Sequence, residues 1–119
     1  MITEKDYCDY ETCVALEELG FLIRRIKVKG TEKGVPILLY EAQKWLREEK
    51  NIITMPRFKE LSALWDCIVY NENKQHAYGV GVQETYEEAL LEGIKEAIKL
   101  LNEEKQYEIC QNQKEKQEV

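Results

Sequence analysis

The segment Thr85–Leu101 constrains this chain more than any other. Thr85-Tyr86-Glu87-Glu88 is a capping box, with Thr85 at the N-cap and Glu88 three residues on, so that a hydroxyl and a carboxylate can satisfy helix-end amides reciprocally. Behind it Tyr86, Ala89, Leu90, Gly93, Ile94, Ala97, Ile98 and Leu101 recur at spacings of three and four, which is the period of one helix face. Ala89, Gly93 and Ala97 form a row of small residues within that face, so the helix can lie close against a partner layer. A helix over Thr85–Asn102 therefore needs a flat apolar surface to cover, and the residues just before it supply one. Ala63–Tyr70 alternates, with Trp65, Cys67 and Val69 on one face and Asp66, Ile68 and Tyr70 on the other. Asn71–Gln75 reads as a hairpin loop. Ala77–Gln83 returns with Tyr78, Val80 and Val82 on one face and Gly79 and Gly81 on the other. Ile52–Phe58 is a third strand, placed at a sheet edge or a bulge by Pro56, which has no N–H for a ladder.

Two further helices precede these strands. In Asp9–Gly20, Asp9 is the N-cap, Cys13, Leu16 and Leu19 or Gly20 form a stripe, and Gly20 is the C′ residue with Phe21 folding back as its apolar contact. In Leu38–Lys50 the amphipathic positions are Leu38, Ala42, Trp45, Leu46 and Glu49, with Pro36 upstream and Asn51 as the stop. Its start offers no Ser, Thr, Asp or Asn, so it must fray or borrow a tertiary partner. Between the helices, Phe21–Val28 is β-rich and Lys29–Gly34 is a turn with two glycines. The expected order is α-β-α-β-β-β-α. That is one α+β domain over residues 1–104, a two-layer sandwich of a three-stranded antiparallel sheet with helices on one face. Residues 105–119, rich in Lys, Gln and Glu, read as a frayed or disordered tail.

The chain has 119 residues and a formal net charge of -6, which argues against tight electrostatic binding to nucleic acid or an anionic membrane. The charge is uneven. Met1–Gly20 holds six acids and one base, whereas Phe21–Gly34 holds five bases, Arg24, Arg25, Lys27, Lys29 and Lys33, against Glu32 alone. These five cations are the candidate contacts to nucleic acid or to a partner. The core order of helix, three strands and helix is that of double-stranded-RNA-binding domains. Such modules grip phosphate with lysines at the start of the final helix, where this chain has Glu87 and Glu88. The topology agrees and the electrostatics oppose, and fold alone does not give function.

No run approaches the apolar length of a membrane span, and Met1-Ile2-Thr3-Glu4-Lys5-Asp6 lacks the basic and apolar regions of a signal peptide. A cytoplasmic location follows as the expectation, with Cys8, Cys13, Cys67 and Cys110 as reduced thiols. A zinc site from Cys8, Cys13, Cys67 and His76 has no support in the spacing. His76 is the single histidine. A Cys67–His76 pair, nine residues apart across a hairpin, is the one arrangement with a nucleophile beside a base, and a buried thiol with an exposed imidazole is the simpler reading. Glu87, Glu88, Glu92 and Glu96 look like a solvated helix face rather than an acid–base pair. The glycines of Gly79-Val80-Gly81 lie inside a strand, not in a phosphate-cradling loop. No catalytic residue, cofactor or metal is expected. Trp45, Trp65, Tyr78 and Tyr86 read as core by periodicity, while Tyr7, Tyr10, Tyr40 and Tyr107 are unplaced; an exposed aromatic cluster would be a protein-contact patch.

Three motifs carry a resemblance. A helix ends in Gly20-Phe21, a second contains Lys44-Trp45-Leu46-Arg47-Glu48, and a closing helix opens Thr85-Tyr86-Glu87-Glu88-Ala89. In these, over roughly residues 7–102, the chain resembles a family of small uncharacterised proteins encoded in prophages and mobile elements of gut anaerobic bacteria. The motifs are structural, and the resemblance implies no catalytic residues. The chain departs from the family's pattern at Leu38, where a Ser or Thr cap is usual, and in its long basic segment. The expected function is that of a small non-enzymatic accessory protein acting by protein–protein contact or self-association. The alternative is a nucleic-acid-associated module using the basic segment 21–34.

Overall fold

A computed structural model describes residues 2–117, except for the side chains at positions 26, 28, 32, 33 and 107–117. The first helix, α1, spans Tyr10–Glu18. Asp9 caps it, its Oδ1 accepting the Thr12 N–H at 2.8 Å. At the other end Gly20 has φ +111, and the N–H groups of Gly20 and Phe21 donate to the carbonyls of Glu17 and Leu16, both at 3.0 Å. This pair of bonds is a Schellman cap, and it turns the chain so that Phe21 packs against the core.

The basic segment forms two strands rather than one. β1 (Arg25–Val28) and β2 (Thr31–Gly34) pair antiparallel. Strand geometry begins at Arg25 rather than Phe21 because Phe21 and Ile23 are held against the core. Lys29 and Gly30, with φ of 52° and 78°, make a two-residue turn of the kind that matches strand twist. The expected six-residue turn is thus a tight turn followed by a strand. Among the described residues the hairpin's strands pair only with each other.

Helix α2 spans Leu39–Lys50. Its start borrows partners: Glu41 Oε1 accepts the Leu38 N–H at 3.4 Å, Tyr7 bridges to Leu38, and the Cys8 N–H donates to the Ile37 carbonyl at 2.8 Å. Asn51 ends it in the left-handed region, φ 58°.

The main sheet has the order β3-β4-β5, all antiparallel, from β3 (Ile52–Lys59), β4 (Leu64–Asn71) and β5 (His76–Gln83). Pro56 lies in β3, an edge strand, as its missing donor requires. Helices α2 and α3 pack on the sheet face that carries Ile52, Thr54, Cys67 and Val69. One strand departs from simple alternation. Cys67 is opposite Val80 but Trp65 is opposite Gln83, so β5 holds an extra residue, and Gly81 takes φ +64 there. The bulge moves Val82 off the inner face, leaving it 57% exposed, and puts Gln83 across from Trp65.

The last helix, α3, spans Tyr86–Gln117. Thr85 Oγ1 accepts the Glu88 N–H at 3.2 Å, which is the N-cap half of the capping box. Ala89, Gly93, Ile94 and Ala97 are buried. The backbone stays helical past Asn102, through the segment whose composition reads as a tail; Lys, Gln and Glu are good helix formers. Thirty-two residues at ~1.5 Å each make a helix of about 48 Å, against about 27 Å for an eight-residue strand. The helix therefore outruns the sheet, and Glu104, hydrogen-bonded to Asn71 at 3.2 Å, sits by the β4–β5 turn. The side chains of Tyr107 and Cys110 lie outside the described residues. Among the described residues no helix is long and apolar enough to cross a membrane.

The helix and the sheet are closest at Gly93. A Cβ there would collide with the Cys67 Sγ and lie 3.0 Å from its Cβ and 3.6 Å from that of Thr54. Gly93→Ala is expected to cost about 1–3 kcal/mol by overpacking. Cys67→Ala removes the colliding sulfur, so the two losses should be less than additive when urea midpoints are compared in a double-mutant cycle. The Thr54 hydroxyl is buried and has no hydrogen-bond partner among the described residues. Thr54→Val keeps the shape and removes the stranded hydroxyl, and is expected to raise stability by about 1 kcal/mol in the same assay.

Candidate functional site

Of the five basic candidates, four have described side chains: Arg24, Arg25, Lys27 and Lys29. The Arg24 Nη2 contacts both carboxylate oxygens of Glu41 on α2, at 2.9 and 3.0 Å, and the Arg25 Nη2 contacts Glu17 Oε1 on α1 at 2.7 Å. These two arginines tie the base of the hairpin to two helices while their side chains stay 69% and 47% exposed. Lys27 and Lys29 are exposed on the hairpin. The side chain of Lys33 lies outside the described residues.

Cys67 and His76 do not meet. Cys67 pairs with Val80 and His76 with Asn71, four ladder positions away, or about 13 Å along the strand. Cys67 is fully buried against Gly93, and His76 is exposed with its ring beside Tyr78. Burial, reinforced by Asp66, pushes the Cys67 thiol up to about 12. Burial and then the neighbouring Cys13 push the Cys8 thiol equally far. Both are protonated at neutral pH and are poor nucleophiles and metal ligands. Cys8, Cys13 and Cys67 are free thiols. Among the described residues no group of three or more His, Cys, Asp and Glu side chains is placed to hold a metal ion. A cleft of about 380 Å³ between α1 and the basic hairpin is lined by Cys8, Cys13 and Ile23, with the Glu17–Arg25 pair also on its wall.

The feature that stands out lies where α3 begins. Trp65 of β4 is flanked by Phe58 of β3, ring centroids 5.2 Å apart, and by Tyr86 of α3, 5.4 Å apart and edge to face. Phe58 is opposite Trp65 in the ladder, so sheet register builds the first contact. The capping of α3 at Thr85 places Tyr86 in its first turn and so builds the second. Phe58 remains 47% exposed and Tyr86 41%. Tyr86 also lines a groove of about 250 Å³ with Ile2, Tyr40 and Leu90, where Asp6 and Glu87 add carboxylates. Tyr40 and Ile2 are themselves 62% and 59% exposed. The result is a surface of aromatic and aliphatic groups with acidic neighbours, shaped to take an apolar or aromatic side chain.

Sequence periodicity put Tyr86 in the core and left Tyr40 unplaced. A first-turn residue looks past the end of the sheet that its helix covers, and that was the available signal. Phe58 carried none, because its exposure follows from lying at the open end of an edge strand.

The opposite face of the sheet carries one buried charge. Asp66 in β4 is 4% exposed, receives Arg57 Nε and Nη2 at 3.2 and 2.8 Å, and has Lys59 Nζ at 3.5 Å. All three lie on or beside one cross-strand row, since Arg57 is opposite Asp66. Comparison with family models, with curated proteins and with solved structures finds no match to this chain.

The hydrogen bond from Arg57, with the nearby charges of Arg57 and Lys59, holds the Asp66 carboxyl below its ordinary value. The stabilisation is complete above the unfolded aspartate pKa of about 3.9 and fades as pH falls through the lower folded value. Asp66→Asn is therefore expected to cost about 1–3 kcal/mol at pH 7. The gap between variant and parent should narrow below about pH 4, which urea melts across pH 7 to 2.5 will check.

Proposed function

We propose that this protein is a small non-enzymatic accessory protein that works by contact with another protein, through the surface formed by Phe58, Trp65, Tyr86 and Tyr40. The observation that carries the reading is the exposure of this stack. Its rings are placed by β-ladder register and a helix cap, and Phe58 and Tyr86 are 47% and 41% exposed. Rigid aromatic groups bury large area at low entropic cost and are the commonest anchors of protein interfaces. The cytoplasm, where the thiols stay reduced, is the compartment that suits this reading. A role alongside the genes of a prophage or mobile element is consistent with the family resemblance of the three helix motifs.

Nucleic-acid binding through the basic segment is the weaker reading. Arg24 and Arg25 already hold Glu41 and Glu17. Glu87 and Glu88 occupy the first turn of α3. Carboxylates there favour the helix dipole and repel phosphate.

The test is cross-linking and affinity purification of the tagged protein from its own cells, with sedimentation equilibrium for self-association. Phe58→Ser/Tyr86→Ser should lose the bound protein, or the second copy, by at least about tenfold in affinity. Arg24→Gln/Arg25→Gln/Lys27→Gln should keep it. Duplex binding tighter than micromolar at physiological salt, abolished by the triple change, would overturn the reading.

A further inference from the structure

Among the described residues β5 has one neighbour in the sheet, so its outer edge carries backbone N–H and C=O groups with no strand opposite. Such edges template the addition of another strand unless proline, charge or a bulge blunts them. The other edge strand, β3, is blunted by Pro56, Arg57 and Lys59. β5 reads His-Ala-Tyr-Gly-Val-Gly-Val-Gln, with no proline and no Asp, Glu, Lys or Arg, and only the bulge at Gly81 interrupts it.

Carboxylates on α3 stand on the β5 side of the helix, with Lys99, one turn from both Glu96 and Glu103, on the same flank. Glu96 Oε1 accepts the Tyr78 hydroxyl at 2.9 Å, and a Cβ at Gly81 would lie 3.4 Å from the Cβ of Glu92. Glu103 is near enough to act on Tyr78 as well. Burial first, then the bond to Glu96 and the charges of Glu96 and Glu103, push that phenol up to about 12. Among the described residues neither Glu96 nor Glu103 has an ion-pair partner, and Glu92 has only Lys95 at 3.8 Å.

We propose that the β5 edge receives an extended basic strand of a partner protein, with lysine or arginine at alternate positions facing Glu92, Glu96 and Glu103. The proposal rests on the protein-contact reading and adds a second surface to it. Backbone pairing supplies affinity in this mode and alternate side chains supply specificity. A second copy fits less well. Pairing β5 with β5 about a two-fold axis would set two groups of carboxylates side by side, and the chain's own basic strands have four residues against eight in β5. Nucleic acid is repelled by the same carboxylates.

The test is an NMR titration of the 15N-labelled protein with a blocked ten-residue peptide alternating lysine and valine. Amide shifts should concentrate in Ala77–Gln83. A glutamate–valine peptide should bind at least about tenfold more weakly, and a fully N-methylated lysine–valine peptide should not bind. Glu96→Gln/Glu103→Gln, which keeps an acceptor for Tyr78, should weaken the lysine peptide about three- to tenfold. No shifts in β5, equal binding of the acidic peptide, or undiminished binding of the N-methylated peptide overturns the proposal. If β5 is silent while Phe58→Ser/Tyr86→Ser loses its partner, the edge proposal fails and the aromatic surface stands. If β5 binds while that variant keeps its partner, the edge stands and the aromatic surface fails.

Discussion

The close approach of α3 to the sheet at Gly93 is the contact on which the rest of the structure depends. Gly93 has no Cβ because Cys67 and Thr54 occupy its place. Ala89 and Ala97, one turn to either side, are fully buried. With the helix this low, Ile94, Ile98 and Leu90 reach the cluster built by Leu16, Ala42, Leu46, Ile52 and Val69, so three helices and a sheet share one core. A bulky side chain at any of the three small positions would lift the helix and open that cluster, because interiors are packed too densely to absorb extra volume. The Thr54 hydroxyl, beside this approach, has no hydrogen-bond partner among the described residues.

The docking of α3 also sets what the surface presents. Its capped first turn delivers Tyr86 to Trp65 beyond the end of the covered sheet. Further along, one flank of the helix places Glu92 by Gly81 and Glu96 on the Tyr78 hydroxyl of β5. The aromatic surface and these carboxylates beside β5 are thus two consequences of one helix phase. The basic hairpin belongs to a different system. It is tethered through Arg24 and Arg25 to Glu41 of α2 and Glu17 of α1 by ion pairs at the surface.

The sheet's uncovered face holds its one buried charge where cross-strand register allows full pairing. Arg57 and Asp66 are directly opposite, and Lys59 approaches from along the same strand. A buried carboxylate without them would be costly, and with them it gives that face a reason to prefer this register over its neighbours. β3 thereby acquires the charges that protect an edge, while β5 receives none, and the two edges of one sheet differ in what they can bind.

Local sequence by itself determined the helices with chemical stops, the alternation of β4 and the edge placement of β3. Asp9, Gly20, Asn51 and Thr85 act on the backbone within a few residues of themselves, so their effect is legible without knowing the fold. The small row Ala89, Gly93 and Ala97 announced a close approach before its partner was known. Tertiary structure alone decided the rest. The start of α2 has no side-chain N-cap; Glu41 of its own first turn takes the Leu38 N–H, and the chain before α1 supplies the remaining contacts. The bulge at Gly81 reverses the expected side of Val82, because an extra residue in one strand is invisible until the opposing strand supplies the count. Cys67 and His76, which a hairpin could have joined, are separated by register. The exposed stack of Phe58, Trp65 and Tyr86 joins residues from three elements, and no spacing along the chain encodes a contact that exists only after β3, β4 and α3 have met.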